Sequence, residues 1–476
     1  MKYKILSLCF ILFITGWILA QTGPSFEKYF IDKTIRLDYF HTGTHNQETY
    51  SYDAIFQEPT WAGSKINLID TLNLGKYLFK VLDVKTNQMI YSRGFSSIFG
   101  EWQTTDEARR GIYRTFSESI RFPWPKERVK VTIGTRDRYN IFHDTWDFVI
   151  DPDEPNIRRV NYFSDARVTK LVHHGDSYKK VDLVILPDGY TQEEMKKFRE
   201  DAHRLLKVLF DTSPFKERKK DFNVWAVEVP SKESGIDNPQ KGEYVDNILS
   251  CSFNAFGSDR YALTWDNKTV RKAAARAPYD HLYILFNESK YGGGGIFNLY
   301  ATSYVDGQWS GYVFVHEFGH HFAGLGDEYY TSDVAYTDFY PSGVEPWEPN
   351  VTTFVDKNHI KWQYLMEPET PVPTSWGKDE YDEHQKEYRI QRRKLSKNDA
   401  PQAKIDSLST ANARWVHDFL HSQEYMGKVG VFEGSGYASQ GLYRPSIDCI
   451  MFSRNAGEFD PVCRSAIENV INFYTQ

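Results

Sequence analysis

The residues with the clearest chemical potential are His316, Glu317 and His320, in the stretch Val313-Phe314-Val315-His316-Glu317-Phe318-Gly319-His320-His321-Phe322-Ala323-Gly324-Leu325-Gly326-Asp327-Glu328-Tyr329. On a helix, positions four apart share a face, so His316 and His320 can direct both imidazoles at one metal ion. Glu317 sits one position on, where it can reach a water on that ion without binding the ion itself. Gly324 and Gly326 end the helix, because glycine enters the left-handed cap conformation at little cost. The turn they form can swing an acid back as third ligand. Asp327 is the expected one, with Glu328 as its rival. Two neutral imidazoles and a carboxylate suit Zn2+, and three protein ligands leave a fourth position open for water. A carboxylate beside that water can take its proton and later return it to a leaving amine.

His-Glu-x-x-His is short and arises by chance on ordinary amphipathic helices, so it needs support from its surroundings. Three features supply it. The run Tyr312 to Val315 is apolar, as befits a helix buried beneath a site. The glycine turn delivers acids directly after the second histidine. Far downstream, the Ile-Met pair of Pro445-Ser446-Ile447-Asp448-Cys449-Ile450-Met451 resembles the Met-turn of the metzincins, which implies Met451 as an apolar floor beneath the ligands. His321 points about 100° away from His320 on the helix, which suits a structural role better than ligation.

The elements that position these residues follow from the rest of the chain. Its 476 residues suggest two or three domains, and 41% hydrophobic with 16% aromatic content supports a sizeable core. A net charge of -7 and a pI near 6.1 argue against nucleic acid as a partner. Residues 1–20 read as an export signal: Lys2 and Lys4, then the apolar run Ile5 to Ile18, then Ala20 before a cleavage point. No other stretch is apolar enough to span a bilayer, so the mature chain is expected to be exported, to the medium, a periplasm or the cell surface. Of the three cysteines beyond the signal, Cys449 and Cys463 could pair in an oxidising compartment, which the chain-entropy model values at about 3 kcal/mol. Two buried free thiols are the alternative, and Cys251 is left unpaired.

Residues 21–151 read as an all-β, sandwich-like domain. Lys76 to Leu82 and Gln88 to Ser92 form a hairpin around Asp83 to Asn87, and Val129 to Ile133 and Trp146 to Ile150 are further strands. Thr105 to Ser119 is ambiguous between a short helix and strand. The Pro- and acid-rich start of 152–169 marks a linker. Beyond it, strands at Val181 to Leu186, Phe222 to Val229 and His281 to Phe286 alternate with helices, the first opened by a Thr191/Glu194 capping box, which indicates an α/β catalytic domain over 170–476. Gly292 to Gly295 is followed by no Lys-Ser/Thr and so is not a phosphate loop. It reads as a flexible approach to an edge strand that could pair with an extended substrate. Lys378 to Lys397 is a solvated helix, and Ala400 to Phe419 and Pro461 to Phe473 are two more.

The stretch His316 to His320 with Gly324 to Tyr329, Leu186-Pro187-Asp188-Gly189-Tyr190-Thr191, Tyr443-Arg444-Pro445 and Cys449-Ile450-Met451 together resemble the bacterial zinc metallopeptidases typified by IgA peptidases. The likeness covers roughly Lys170 to the C-terminus. It implies a metzincin-like α/β (α+β) zinc peptidase fold with a β-rich accessory domain ahead of it. Metzincins place the third ligand three residues after the helix-ending glycine. That count reaches Asp327 from Gly324, one residue beyond the usual spacing from His320, which would land on Gly326. The expected function is an exported endopeptidase acting on extracellular proteins or glycoproteins, immunoglobulins or other host proteins among them, with Glu317 catalytic and His316, His320 and Asp327 on zinc. Tyr443 is a weaker candidate for stabilising an oxyanion. The alternative is a non-catalytic surface binding protein with a closed, structural zinc site.

Overall fold

A computed structural model describes residues 23–159, 161–331, 339–353, 358–398 and 400–476; the expected export signal lies outside them. The N-terminal part is built from seven strands: β1 (Phe30–Thr44), β2 (Gln47–Glu58), β3 (Tyr77–Asp83), β4 (Met89–Phe95), β5 (Arg114–Pro125), β6 (Val129–Arg136) and β7 (Phe142–Ile150). They form two antiparallel sheets of order β2-β1-β5 and β4-β3-β6-β7. The sheets close on one core, with Leu37, Tyr39 and Phe122 from the first meeting Phe79, Tyr91 and Val131 from the second. The expected hairpin is β3–β4, and the ambiguous segment divides into a one-turn helix, Asp106–Arg109, and the start of β5.

The second part is organised by a six-stranded sheet. Its members are β8 (Arg167–Val172), β9 (Val181–Asp188), β10 (Phe222–Glu228), β13 (His281–Phe286), β14 (Gly293–Ile296) and β15 (Tyr300–Tyr304), while β11 (Cys251–Ser252) and β12 (Leu263–Thr264) pair outside it. The order is β14-β15-β13-β9-β10-β8. The four inner strands run parallel, and β14 and β8 are antiparallel edges. Parallel strands covered on both faces read as unbroken apolar runs, which is why Val181 to Leu186 was legible as a buried strand. On β9, Val181, Leu183 and Ile185 face the helices Met195–Asp211, Ser310–Ala323 and Pro461–Thr475, while Val184 and Leu186 face the helix Asn267–Ala274. The capping box is half formed: Glu194 accepts the Thr191 N–H at 2.9 Å, one turn ahead of the helix.

The two parts share their packing. Phe99 and Trp102 of the first enter the core under Leu282 and Ile284 of the second, and Ser96 N–H donates to Phe297 O at 2.9 Å. Lys378–Lys397 and Gln402–His421 form a helical pair between the glycine turn and the C-terminal helix. Among the described residues, no helix is long and apolar enough to cross a membrane.

Candidate metal centre

The site helix Ser310–Ala323 lies against β14 and β15 and stops at Gly324, whose φ of 60° is the left-handed cap expected of it. Its apolar side, Phe314, Phe318 and Phe322, is sunk in the core. The glycine run at its flank is itself the edge strand rather than an approach to one, and the reason is steric. A Cβ on Gly295 would come within 2.3 Å of Glu317 O and 2.9 Å of His320 Cβ. Only a strand without side chains on that face can lie so close to the helix.

Three atoms define the centre, and carbonyls orient the two imidazoles that supply two of them. His316 Nδ1 lies 3.0 Å from Ile450 O and His320 Nδ1 lies 2.5 Å from Leu325 O. A carbonyl only accepts, so each Nδ1 carries the proton and each Nε2 presents its lone pair. Those two Nε2 atoms are 3.1 Å apart, and Asp327 Oδ1 stands 3.0 and 3.2 Å from them. Asp327 Oδ1 is buried with no hydrogen-bond partner. Three converging lone pairs repel one another unless a cation lies between them. With metal–ligand distances of roughly 2.0–2.1 Å, one edge of a tetrahedron is about 3.3 Å, so the triangle fits a zinc-sized ion and leaves one vertex towards the cavity. Glu317 has a carboxylate oxygen within 4.8 Å of both imidazoles and borders the open space. Burial raises its pKa above the ordinary glutamate value. Without an ion between them, a proton takes its place: burial works against charge on Asp327 and His320, but their mutual attraction outweighs it, holding Asp327 well below the usual carboxylate range and lifting His320 to about 9.

The supports of these groups come from remote segments. Asn350 clamps the turn, accepting from Gly326 N–H at 2.7 Å and donating to Gly326 O at 2.9 Å and Glu328 Oε1 at 2.8 Å. Tyr437 O–H donates to Asp327 Oδ2, which leaves Oδ1 for the ion. Tyr437 holds a φ of 66°, an uncommon conformation for a tyrosine and one seen at functional sites. Met451 lies beneath the helix, its sulfur in the space a Cβ on Gly319 would need. His321 is turned into the core as expected, donating Nδ1–H to Ile296 O at 3.0 Å and accepting the Leu282 N–H at 3.3 Å. Tyr443 is not in the centre. It packs beside Trp362 and Val431, its backbone paired with Thr352. Glu328 faces away from the imidazoles, and Cys449 and Cys463 are free, with sulfurs 3.8 Å apart.

The centre opens on a cavity of about 1180 Å³ lined by residues of both parts, among them Gln103, Arg136, Arg260, Tyr291, Trp347 and Arg454. That exceeds the ~300–1,000 Å³ of small-molecule pockets and suits a stretch of polypeptide. An inward-facing His-His-Asp set with a flanking glutamate, open to a cleft of this size, is the arrangement of a metallopeptidase. The chain belongs to the peptidase M64 family: the family model for IgA peptidase M64 matches residues 169–471, and that for the peptidase M64 N-terminus matches 25–147. A comparison with curated proteins finds no match. The chain is therefore a hydrolase that acts on protein substrates through a metal cofactor.

Proposed function

We propose that this metallopeptidase is an exported, zinc-dependent endopeptidase with a metzincin-like catalytic domain, cleaving extracellular proteins or glycoproteins within its interdomain cleft. The observation that carries the reading is the triangle of His316 Nε2, His320 Nε2 and Asp327 Oδ1, with Glu317 beside it and a cavity on its open side. Zinc held there would polarise the scissile carbonyl and acidify a water. Glu317 would take a proton from a water in the open space and return it to the departing amine, and its burial-raised affinity for a proton suits both halves of the task. Asp327 is held by Tyr437 and the Asn350-clamped turn, so the ligand set is preorganised. The β14 edge at Gly295 borders the cavity and offers backbone groups to an extended chain, whose side chains would then reach the N-terminal part.

The test is digestion of a panel of secreted glycoproteins, immunoglobulins included, with and without a zinc chelator. Cleavage at a defined bond, abolished by chelation and restored by zinc, is the expected result. Glu317→Ala should lose cleavage and keep its metal; a variant that still cleaves would remove Glu317 from its role. Export is tested separately by sequencing the N-terminus of the protein recovered outside the cytoplasm, with Gln21 expected first.

A further inference from the structure

A second group of metal-binding side chains lies behind the first. Glu328, Cys449, Asp460 and Cys463 are all buried, and one ligand atom from each lies within 4.8 Å of the others. They come from three separate segments: the turn after the site helix, the Met451 loop and the N-terminus of the last helix. The two sulfurs are 3.8 Å apart, and Cys463 Sγ is 3.4 Å from Glu328 Oε1. With metal–sulfur distances of roughly 2.3 Å, a tetrahedron has a sulfur–sulfur edge of about 3.8 Å, which the two cysteines match.

The cluster is not a satisfied polar core. Glu328 Oε2 and Asp460 Oδ2 are buried with no hydrogen-bond partner. The other oxygen of each carboxylate is occupied: Glu328 Oε1 accepts from Asn350 at 2.8 Å, and Asp460 Oδ1 caps the last helix through Val462 and Cys463 N–H at 2.7 and 3.0 Å. Each acid therefore has one oxygen held and one buried without such a partner. Among the described residues neither forms an ion pair, and the nearby Arg444 guanidinium donates to the Gly434 and Ile447 carbonyls while its Nε stays buried without a partner. Two facing buried carboxyl groups cannot both carry charge unless a cation or a shared proton lies between them. Cys449 Sγ meanwhile accepts backbone N–H groups from Met451 and Asp460, both at 3.4 Å, the environment that suits a thiolate ligand.

We propose that Glu328, Cys449, Asp460 and Cys463 form a second, structural site for a zinc-like divalent cation, closed by four protein ligands and distinct from the catalytic one. Binding exchanges the two thiol protons, released to solvent, for two metal–sulfur bonds. Its effect is mechanical. Glu328 directly follows Asp327, and Cys449 directly precedes Ile450, whose carbonyl orients His316. One ion would lock both segments to the last helix.

Cobalt substitution of the full-length protein separates the two sites, because only the second has sulfur donors. Two cobalt ions per chain and a thiolate-to-cobalt absorption band in the near ultraviolet are expected. Asp327→Ala should lose one ion and keep the band, whereas the Cys449→Ser/Cys463→Ser double variant should lose one ion and the band together. Should the double variant fail to fold, the wild-type spectrum still decides. Wild-type protein that takes up cobalt without a sulfur band overturns the proposal, as does a Cys449–Cys463 disulfide in the active, metal-loaded enzyme, read by non-reducing mass spectrometry.

Discussion

The closest packing in the candidate centre is between β14 and the site helix, and it sets a sharp expectation for Gly295→Ala. The new Cβ would stand 2.3 Å from the Glu317 carbonyl oxygen, against an ordinary carbon–oxygen contact of roughly 3.3 Å. Backbone atoms cannot swing aside, so strand and helix must separate by about 1 Å. Glu317 and His320 are the two residues displaced. A misplacement of about 1 Å costs on the order of 100-fold in rate, and overpacking of this kind roughly 1–3 kcal/mol in stability. Gly294→Ala is the internal control. Its Cβ would meet the Tyr261 ring at 2.5 Å on the opposite face of the strand, where a side chain rather than the metal helix must yield. The assay is kcat/KM on a quenched-fluorescence peptide that the wild type cleaves, with metal content and urea stability measured on the same preparations. Gly295→Ala should lose about 100-fold in kcat/KM with its fold retained, and Gly294→Ala far less. Wild-type kcat/KM in metal-loaded Gly295→Ala, or equal losses in both variants, would refute the reasoning.

Tyr437→Phe removes the hydrogen bond that steers Asp327, so metal affinity should drop by about 10–100-fold in competition with a chromophoric chelator; unchanged affinity would leave Tyr437 without this role. Glu317→Gln should lower kcat by roughly 10²–10⁴-fold at full metal occupancy, since the amide accepts no proton, and single-turnover kinetics would read it. The buried His321 should make the fold acid-sensitive. Burial lowers its pKa from the ordinary 6.5 to about 4, so the unfolded chain binds the proton more readily. Stability is therefore whole above about pH 6.5 and falls through about pH 4, by about 3 kcal/mol for this residue. His281, in contact with it, is shifted in the same direction. Urea unfolding at a series of pH values should show a shallower acid decline for His321→Gln; an identical decline would assign the sensitivity elsewhere.

The metal helix was legible because its information is local: a four-residue spacing and a glycine stop are both written within one segment. The buried parallel strands and the three long C-terminal helices were legible for the same reason. The long hairpin β1–β2 was not, although its 15 and 12 residues make it the frame of the N-terminal part. Ile35, Leu37 and Tyr39 of β1 do alternate onto the sandwich core, but the opposite face is also buried and carries Arg36 and Asp38, which pair with one another and with Glu58 of β2 at 2.7 Å, so the charges that read as a solvated face lie inside the fold. Asn350 and Tyr437 had no local signal at all. Each acts on the turn from a distant segment, and only the fold brings them there. Tyr443 illustrates the converse, a plausible residue type near a recognised motif whose neighbours turn out to be Trp362 and Val431.

The choice between Asp327 and Glu328 shows why adjacent acids need not compete. In an extended turn, successive side chains point to opposite sides, so a single peptide sends one carboxylate towards the imidazoles and the next away from them. The carbonyls continue the division: Gly436 N–H binds Asp327 O, and Glu328 N–H binds Met451 O, each at 2.9–3.0 Å. The same alternation operates in the Met451 loop, where Cys449 faces the rear cluster and the next residue, Ile450, turns its carbonyl to His316. Two neighbouring segments thus each contribute to both clusters. The extra residue between the second histidine and the third ligand, which departs from the usual metzincin spacing, then has a physical consequence. It sets Asp327 and Glu328 in the register that serves both sides at once, so deleting one residue from the Gly324–Gly326 turn would misdirect both acids rather than exchange one ligand for the other.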